Sequence, residues 1–438
     1  MDGSSGGGTV TLNYSPTILS ITMGAFTGTF DDGGNNPTMG NFSNTGTATR
    51  TLTMTGTWTL TGNNTTIWSM ATITNLTFNK STHPIVCNYS GATGTRTISS
   101  GNISPSDLTV APDFNITAGT DIISLANSRF GHLDFTGFKG SVANNTRIIY
   151  GNVTLDPGMT LTAGSASTQL GNDSGTSVIT TRGLLLDFPI SIVAAGATVQ
   201  LADSLNMGTS RTLTHSSGTF DLNNKNVTCG TFVWTGSTTR TILMGSSTFT
   251  CTGTGTVWSA NTTNSTFTQG TSTIIISDSS SSSKTFSGGG VTYNNLFLSG
   301  NGTGVYTISG SNTFNTLKTI PGLNTINFTA GTTTTTTTLI LNGNSNDAND
   351  RLTLQSTSGG NPWTLSVASG TVQSNFVTIS DSTATGGASF IAVESSNGGG
   401  NSGWKFQNLE PTYSRLAKTG RVAKSGRIAV SGRVPQSF

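Results

Sequence analysis

Residues 28–54 of this chain occur twice. GTFDDGGNNPTMGNFSNTGTATRTLTM at Gly28 to Met54 returns as GTFDLNNKNVTCGTFVWTGSTTRTILM at Gly218 to Met244, without a gap and with 14 of 27 positions identical. A chain so rich in Gly, Thr, Ser and Asn would match itself by chance at roughly 4 positions in such a window. The identities include Gly28/Gly218, Phe30/Phe220, Asp31/Asp221, Phe42/Phe232, Arg50/Arg240 and Met54/Met244. The match resumes downstream. Thr66-Ile67-Trp68-Ser69 answers Thr256-Val257-Trp258-Ser259, and, after a two-residue slip, Arg96-Thr97-Ile98 answers Lys284-Thr285-Phe286 and Leu108 answers Leu296. Self-similarity at long range is the mark of repeat architectures, in which each unit buries its apolar face against the next.

Composition narrows the choice of element. Only 9% of residues are charged, against about 25% in ordinary soluble domains. The chain has two glutamates, Glu394 and Glu410, and 56 glycines in 438 residues. Helices draw on Ala, Glu, Lys, Leu and Arg, so a helical chain is not expected. Disorder would not need the steady supply of Val, Ile, Leu and Phe, which come in short alternating runs such as Thr51-Leu52-Thr53-Met54 and Thr57-Trp58-Thr59-Leu60. That period of two is a strand with one buried face. Gly-Asn, Asn-Asn and Asp-Gly clusters between the runs read as turns.

Many short strands and a duplicated unit of about 190 residues point to an all-β parallel β-solenoid, or β-helix. Tandem β-sandwich domains are the alternative, but these would show units of about 100 residues with longer alternating strands. In order, the chain reads as a flexible segment at 1–14, a first solenoid unit at 15–204, a second at 205–342, a C-terminal β region at 343–410 and a basic hexad-repeat tail at 411–438. The threonine run Thr332 to Thr338, flanked by Phe328 and Leu339-Ile340-Leu341, reads as structured.

Formal net charge is +2, unevenly placed. The tail carries Arg415, Lys418, Arg421, Lys424, Arg427 and Arg433 with no acid, leaving 14 basic against 18 acidic residues in the rest. A weakly acidic body does not suit nucleic acid, which is not expected as a partner. The tail repeats Ala417-Lys-Thr-Gly-Arg-Val422, Ala423-Lys-Ser-Gly-Arg-Ile428 and Ala429-Val-Ser-Gly-Arg-Val434. Its regular aliphatics make Arg421, Val422, Arg427, Ile428, Arg433 and Val434 the candidate oligomerisation or docking residues, with a homotrimer as the expected assembly. No apolar run approaches the length of a membrane span, and MDGSSGGGTV lacks the regions of a signal peptide.

The candidates for chemistry are weak. Asn342 to Asp350 is dense in oxygen ligands but lacks the glycine spacing and terminal Glu of calcium loops, so it reads as a polar turn. Asp31-Asp32 is the one adjacent carboxylate pair; recurrence of Asp31 as Asp221 favours a turn role. His83, His132 and His215 show no metal spacing and read as surface or half-buried. The three cysteines imply no disulfide framework; Cys87, Cys229 and Cys251 read as buried thiols, and the spacing of Cys229 and Cys251 suits neighbouring coils. Arg50, Arg96, Arg211 and Arg240 each precede Thr and then Leu or Ile, the pattern of solvent-facing arginines at repeating strand starts. Trp58, Trp68, Trp234, Trp258, Trp363 and Trp404 could stack on sugars, yet the recurrence of Trp68 as Trp258 favours core for those two. No paired acids of a glycosidase can be placed, so no catalytic, cofactor or metal residues are assigned and a non-enzymatic role is expected.

Four motifs carry a family resemblance: Gly218-Thr-Phe-Asp-Leu-Asn-Asn, Thr239-Arg-Thr-Ile, Lys284-Thr-Phe-Ser-Gly-Gly-Gly-Val-Thr-Tyr-Asn-Asn-Leu, and the stretch from Ile379-Ser-Asp-Ser to Gly403-Trp-Lys-Phe. They resemble Gly/Thr-rich β-helical structural proteins of tailed bacteriophages, of the tail-fibre and tail-spike kind. The resemblance covers about residues 200–406 well and 15–165 more loosely. It implies a virion component, often a homotrimer, with other virion proteins as partners and a host-surface glycan as a possible receptor. A bacterial surface adhesin or extracellular fibre protein is the alternative, and a β-helical polysaccharide-degrading enzyme a second one.

Overall fold

The alternating runs become short strands, and every registered pairing between them is parallel. The computed structural model describes residues 7–408 apart from 64, 90–93, 102–110, 126–127, 173, 346 and 348, and among these there is no helix. The chain is a parallel β-solenoid of about 17 turns. At about 4.8 Å per turn that is a rod roughly 80 Å long.

A single coil shows the plan. Gly28–Asp31 forms the first wall and pairs with the strand Arg50–Thr53 of the next coil. Thr38–Asn44 then bends across two walls: Thr38 and Met39 pair with Thr59 and Leu60, while Phe42 and Ser43 pair with Trp68 and Ser69. The chain returns to the first wall at Arg50, the register partner of Gly28. The second copy repeats this plan wall by wall. Gly218 pairs with Arg240, Val227–Cys229 with residues 249–251, and Phe232 with Trp258. The ladder runs without a break past residue 204, where Gln200 pairs with Asp221, and past residue 342, where Thr325 pairs with Thr353. Thr9–Thr11 already belongs to the stack, paired with residues 29–31.

The period of two gives each wall an inner and an outer face. Inner residues stack on their equivalents one coil away, producing apolar columns along the axis. One column is Leu213, Phe232, Trp258, Phe286, Ile308 and Phe328, each no more than 1% exposed. Ring centroids of Phe232 and Trp258 are 4.7 Å apart, and those of their equivalents Phe42 and Trp68 are 4.4 Å apart. Each large side chain so buried contributes about 2 kcal/mol, and no single coil holds a core by itself.

Corners need backbone that side chains would obstruct. Gly28 opens the strand Gly28–Asp31, and Gly218 stands at the equivalent point within the longer strand Thr212–Asp221, with φ of 118° and 76°. A Cβ on Gly218 would collide with the carbonyl oxygen of Ala194, and one on Gly28 with that of Gly8. Glycine is retained in both copies because the chain turns left-handed there against the previous coil. The threonine run forms the strand Thr333–Ile340, whose alternation buries Thr334 and Thr336, both 2% exposed.

Candidate functional site

The recurring arginines lie inside the rod, which corrects the solvent-facing expectation. Arg50, Arg96 and Arg240 are no more than 1% exposed. At Arg50, Nη1 donates to the carbonyls of Ala48 and Thr74, Nη2 to that of Thr72, and Nε to Asn44 Oδ1 at 2.7 Å. At Arg240, Nη1 donates to Thr238 and Nη2 to Asn261 and Thr263, at 2.8 to 2.9 Å. The same corner is thus built twice, down to left-handed Asn75 and Asn264 (φ 55° and 52°), whose amides donate to Thr47 and Ser237 carbonyls. Burial lowers the pKa of both arginines. One partner is not repeated: Trp234 stands where Asn44 does, and Arg240 Nε has no partner among the described residues.

Arg96 and its equivalent Lys284 are buried and paired with acids. Arg96 Nε lies 2.6 Å from Asp121 and Lys284 Nζ 2.8 Å from Asp278. Each cation also sits over a tyrosine ring, Tyr89 at 4.0 Å and Tyr306 at 5.5 Å. The acids arrive from different directions, Asp121 from the coil after Arg96 but Asp278 from the turn just before Lys284. The alignment of the two copies therefore could not reveal them. Only Arg211 fits the expectation in part: its side chain is 24% exposed and Nε reaches Asp187 at 2.5 Å.

The carboxylates hold turns together. Asp32 accepts from Gly34 N and Thr55 Oγ1 on Oδ1, and from Thr55 N, Gly56 N and Trp58 Nε1 on Oδ2. Burial pushes its carboxyl upward, but these bonds outweigh it and leave the pKa below the ordinary value. Asp113 is bonded to Lys80 and to His132 N, Asp156 to Lys139, Gly137 N and Gly158 N, and Asp203 to Thr181 and Arg182. In the 342–350 turn, Asp350 N donates to the carbonyl of Asp347, and Asn349 N to Asp347 Oδ1.

His83 is exposed and His132 half-buried, but His215 is wholly buried, against expectation. Its Nε2 bonds the Gly218 carbonyl at 3.0 Å, and burial, reinforced by the charge of Arg240, lowers its pKa to about 4. Cys229 and Cys251 are register partners in adjacent coils, and all three thiols are buried and free. Burial pushes Cys87 up to about 12. Trp58, Trp68, Trp234, Trp258 and Trp363 are core, and Trp404 is half-buried with its indole donating to Ser382 Oγ. These indoles leave little for a sugar to stack on.

The outer faces offer hydroxyls. Thr9, Thr29, Thr51 and Thr77 form one outward ladder on the first wall. Thr176, Thr198, Thr219, Thr241 and Thr266 form a second ladder that runs from the end of the first unit into the second copy. Beside the second ladder is an open groove of about 440 Å³, lined by Gly175, Gly196, Ala197, Gly218, Thr239 and four ladder threonines, Thr176, Thr198, Thr219 and Thr241. It arises where the long strand Ile190–Leu201 bends between walls, exposing Ala195 and Gly196. Sequence reading missed these ladders because each member lies in a different coil, at uneven offsets that only the register defines. The hexad residues Arg421, Val422, Arg427, Ile428, Arg433 and Val434, with Glu410 and Leu108, lie outside the described residues.

Comparison of the chain with protein-family models, with curated proteins and with solved structures returned no match.

Proposed function

We propose that this protein is a non-enzymatic structural component of a bacteriophage virion, a rod of the fibre or spike kind displayed for attachment to a host surface. The observation that carries this reading is the duplicated outward threonine ladder, Thr9-Thr29-Thr51-Thr77 and Thr198-Thr219-Thr241-Thr266. It presents two uncharged, hydroxyl-bearing strips at two heights on one rod. Such strips suit contact with a neutral glycan, and two weak contacts on one rod gain from multivalency. The motifs that resemble phage β-helical proteins support the same reading. Among the described residues the groove beside the second ladder is lined by Gly, Ala and Thr, which offer a polysaccharide no pair of carboxylates for hydrolysis.

The test is the native mass by light scattering of the full chain and of a chain ending at Glu410. A full-length trimer that becomes a monomer without residues 411–438 is the expected result, and makes Val422, Ile428 and Val434 part of an assembly element. A monomer in both cases refutes that role. Binding of the full chain to host envelope glycans, weakened by Thr219→Lys with Thr29→Lys, tests the ladders themselves; unchanged binding refutes their part in attachment.

A further inference from the structure

Two of the three cysteines are neighbours in an inner column, and the two copies fill that column differently. In the first copy Met39, Leu60 and Cys87 stack on successive coils. In the second copy Cys229, Cys251 and Ile276 do so. Met39 aligns with Cys229 at the 190-residue shift, and all six side chains are no more than 1% exposed. The first copy packs with Met39 and Leu60 where the second has two thiols, so packing of the column does not call for sulfur. The chain has three cysteines in 438 residues, and composition alone does not set two of them in register one coil apart.

The geometry suits a covalent bond. Neighbouring parallel strands stand about 4.8 Å apart, within the separation of roughly 4.4–6.8 Å that a disulfide spans between Cα atoms. Register partners on parallel strands also point their Cβ atoms to the same face. The Cys251 thiol already contacts the Cys229 sulfur, and Cys229 Sγ lies 3.4 Å from the Thr231 carbonyl oxygen. Cys87 lies instead between Leu60 and Ile116, which makes it a control built into the chain.

We propose that Cys229 and Cys251 form an inter-coil disulfide site, which closes when the chain folds in the presence of a small-molecule disulfide such as glutathione disulfide. One cysteine thiolate attacks glutathione disulfide, releasing one glutathione and leaving a mixed disulfide. The second cysteine thiolate attacks the protein sulfur of that intermediate, forms the Sγ–Sγ bond and expels the second glutathione. The two cysteine protons end on the two glutathiones, so the protein is oxidised by two electrons and the glutathione disulfide is reduced by them. Contact with Cys229 and burial raise the pKa of Cys251. The attacking thiolate is therefore scarce in the finished rod, and the bond forms while the coils are still open. The same burial then shields the closed bond from reductants. A rod folded with a reductant keeps the three thiols.

To test this, the full chain is unfolded with a reductant and refolded in a glutathione redox buffer. Remaining thiols are alkylated in denaturant before peptide mass spectrometry. The expected result is a linked Cys229–Cys251 peptide, with Cys87 alone alkylated. The same buffer with denaturant present throughout should give mixed pairings. The linked rod should have an unfolding constant about 100-fold lower than the reduced rod, read from denaturation midpoints, and Cys251→Val should erase that difference. Should Cys251→Val fail to fold, the mass spectrum of the wild-type chain still decides. Three alkylated cysteines, a trapped glutathione adduct or links to Cys87 after refolding overturn the proposal.

Discussion

At the scale of residues, the rod spends its few charges on its own backbone. Arg240 offers a direct measure, because its guanidinium satisfies three carbonyls from two coils. Arg240→Met should lower stability by about 3 kcal/mol, read as a shift in denaturation midpoint, since buried acceptors are left unpaired. Arg50→Met should behave alike, being the same corner. His215 predicts a pH effect. Its folded pKa is about 4 against 6.5 for a free imidazole, so the unfolded chain binds the proton first as pH falls. The contribution of neutral His215 is complete above about pH 6.5 and declines through that window until pH 4, a loss of about 3 kcal/mol. Denaturation midpoints from pH 7 to 4 check this, and His215→Leu should remove that part of the slope. The burial of these groups was not legible in the sequence. The Arg-Thr-Leu/Ile pattern put arginine on the apolar phase of its strand, which is the inner face, but polarity argued for outside. The carbonyls that decided the matter include those of Thr72 and Thr74, which reach Arg50 from the corner of the next coil.

At the scale of elements, stacking converts sequence spacing into contact. The separation of Cys229 and Cys251 equals one coil, and the two thiols are register partners on parallel strands. The contact with Cys229, together with burial, raises the pKa of Cys251. The three cysteines should therefore resist a thiol reagent at pH 8 in the native rod and react in full once denaturant is added; titration with a chromogenic disulfide reports both. The same spacing logic made the cores at Trp68 and Trp258 readable, because a bulky inner residue repeated in both copies must occupy the same column. It did not reach the threonine ladders. An outer threonine is chemically like every other threonine in this chain, and which ones align depends on corner lengths that vary from coil to coil.

At the scale of the whole molecule, a parallel stack makes the rod continuous. No boundary interrupts the ladders between the copies, because each coil's backbone amides are satisfied by the coils on either side. The duplication is therefore one of pattern within a single stack, and it sets equivalent surfaces at two heights along one axis. Assembly of several rods is the question that the light-scattering experiment addresses, since attachment through weak hydroxyl contacts gains from every additional copy. By itself, the sequence determined the class of element, the parallel coil and the equivalence of the two copies, because periodicity and repetition are local properties of a chain. Only the tertiary structure decided which polar groups are buried together, above all Arg50 with the Thr72 and Thr74 carbonyls and Arg96 with Asp121. Those pairings join different coils, and burial makes the energy of a charge depend on whatever neighbour the stack happens to bring beside it.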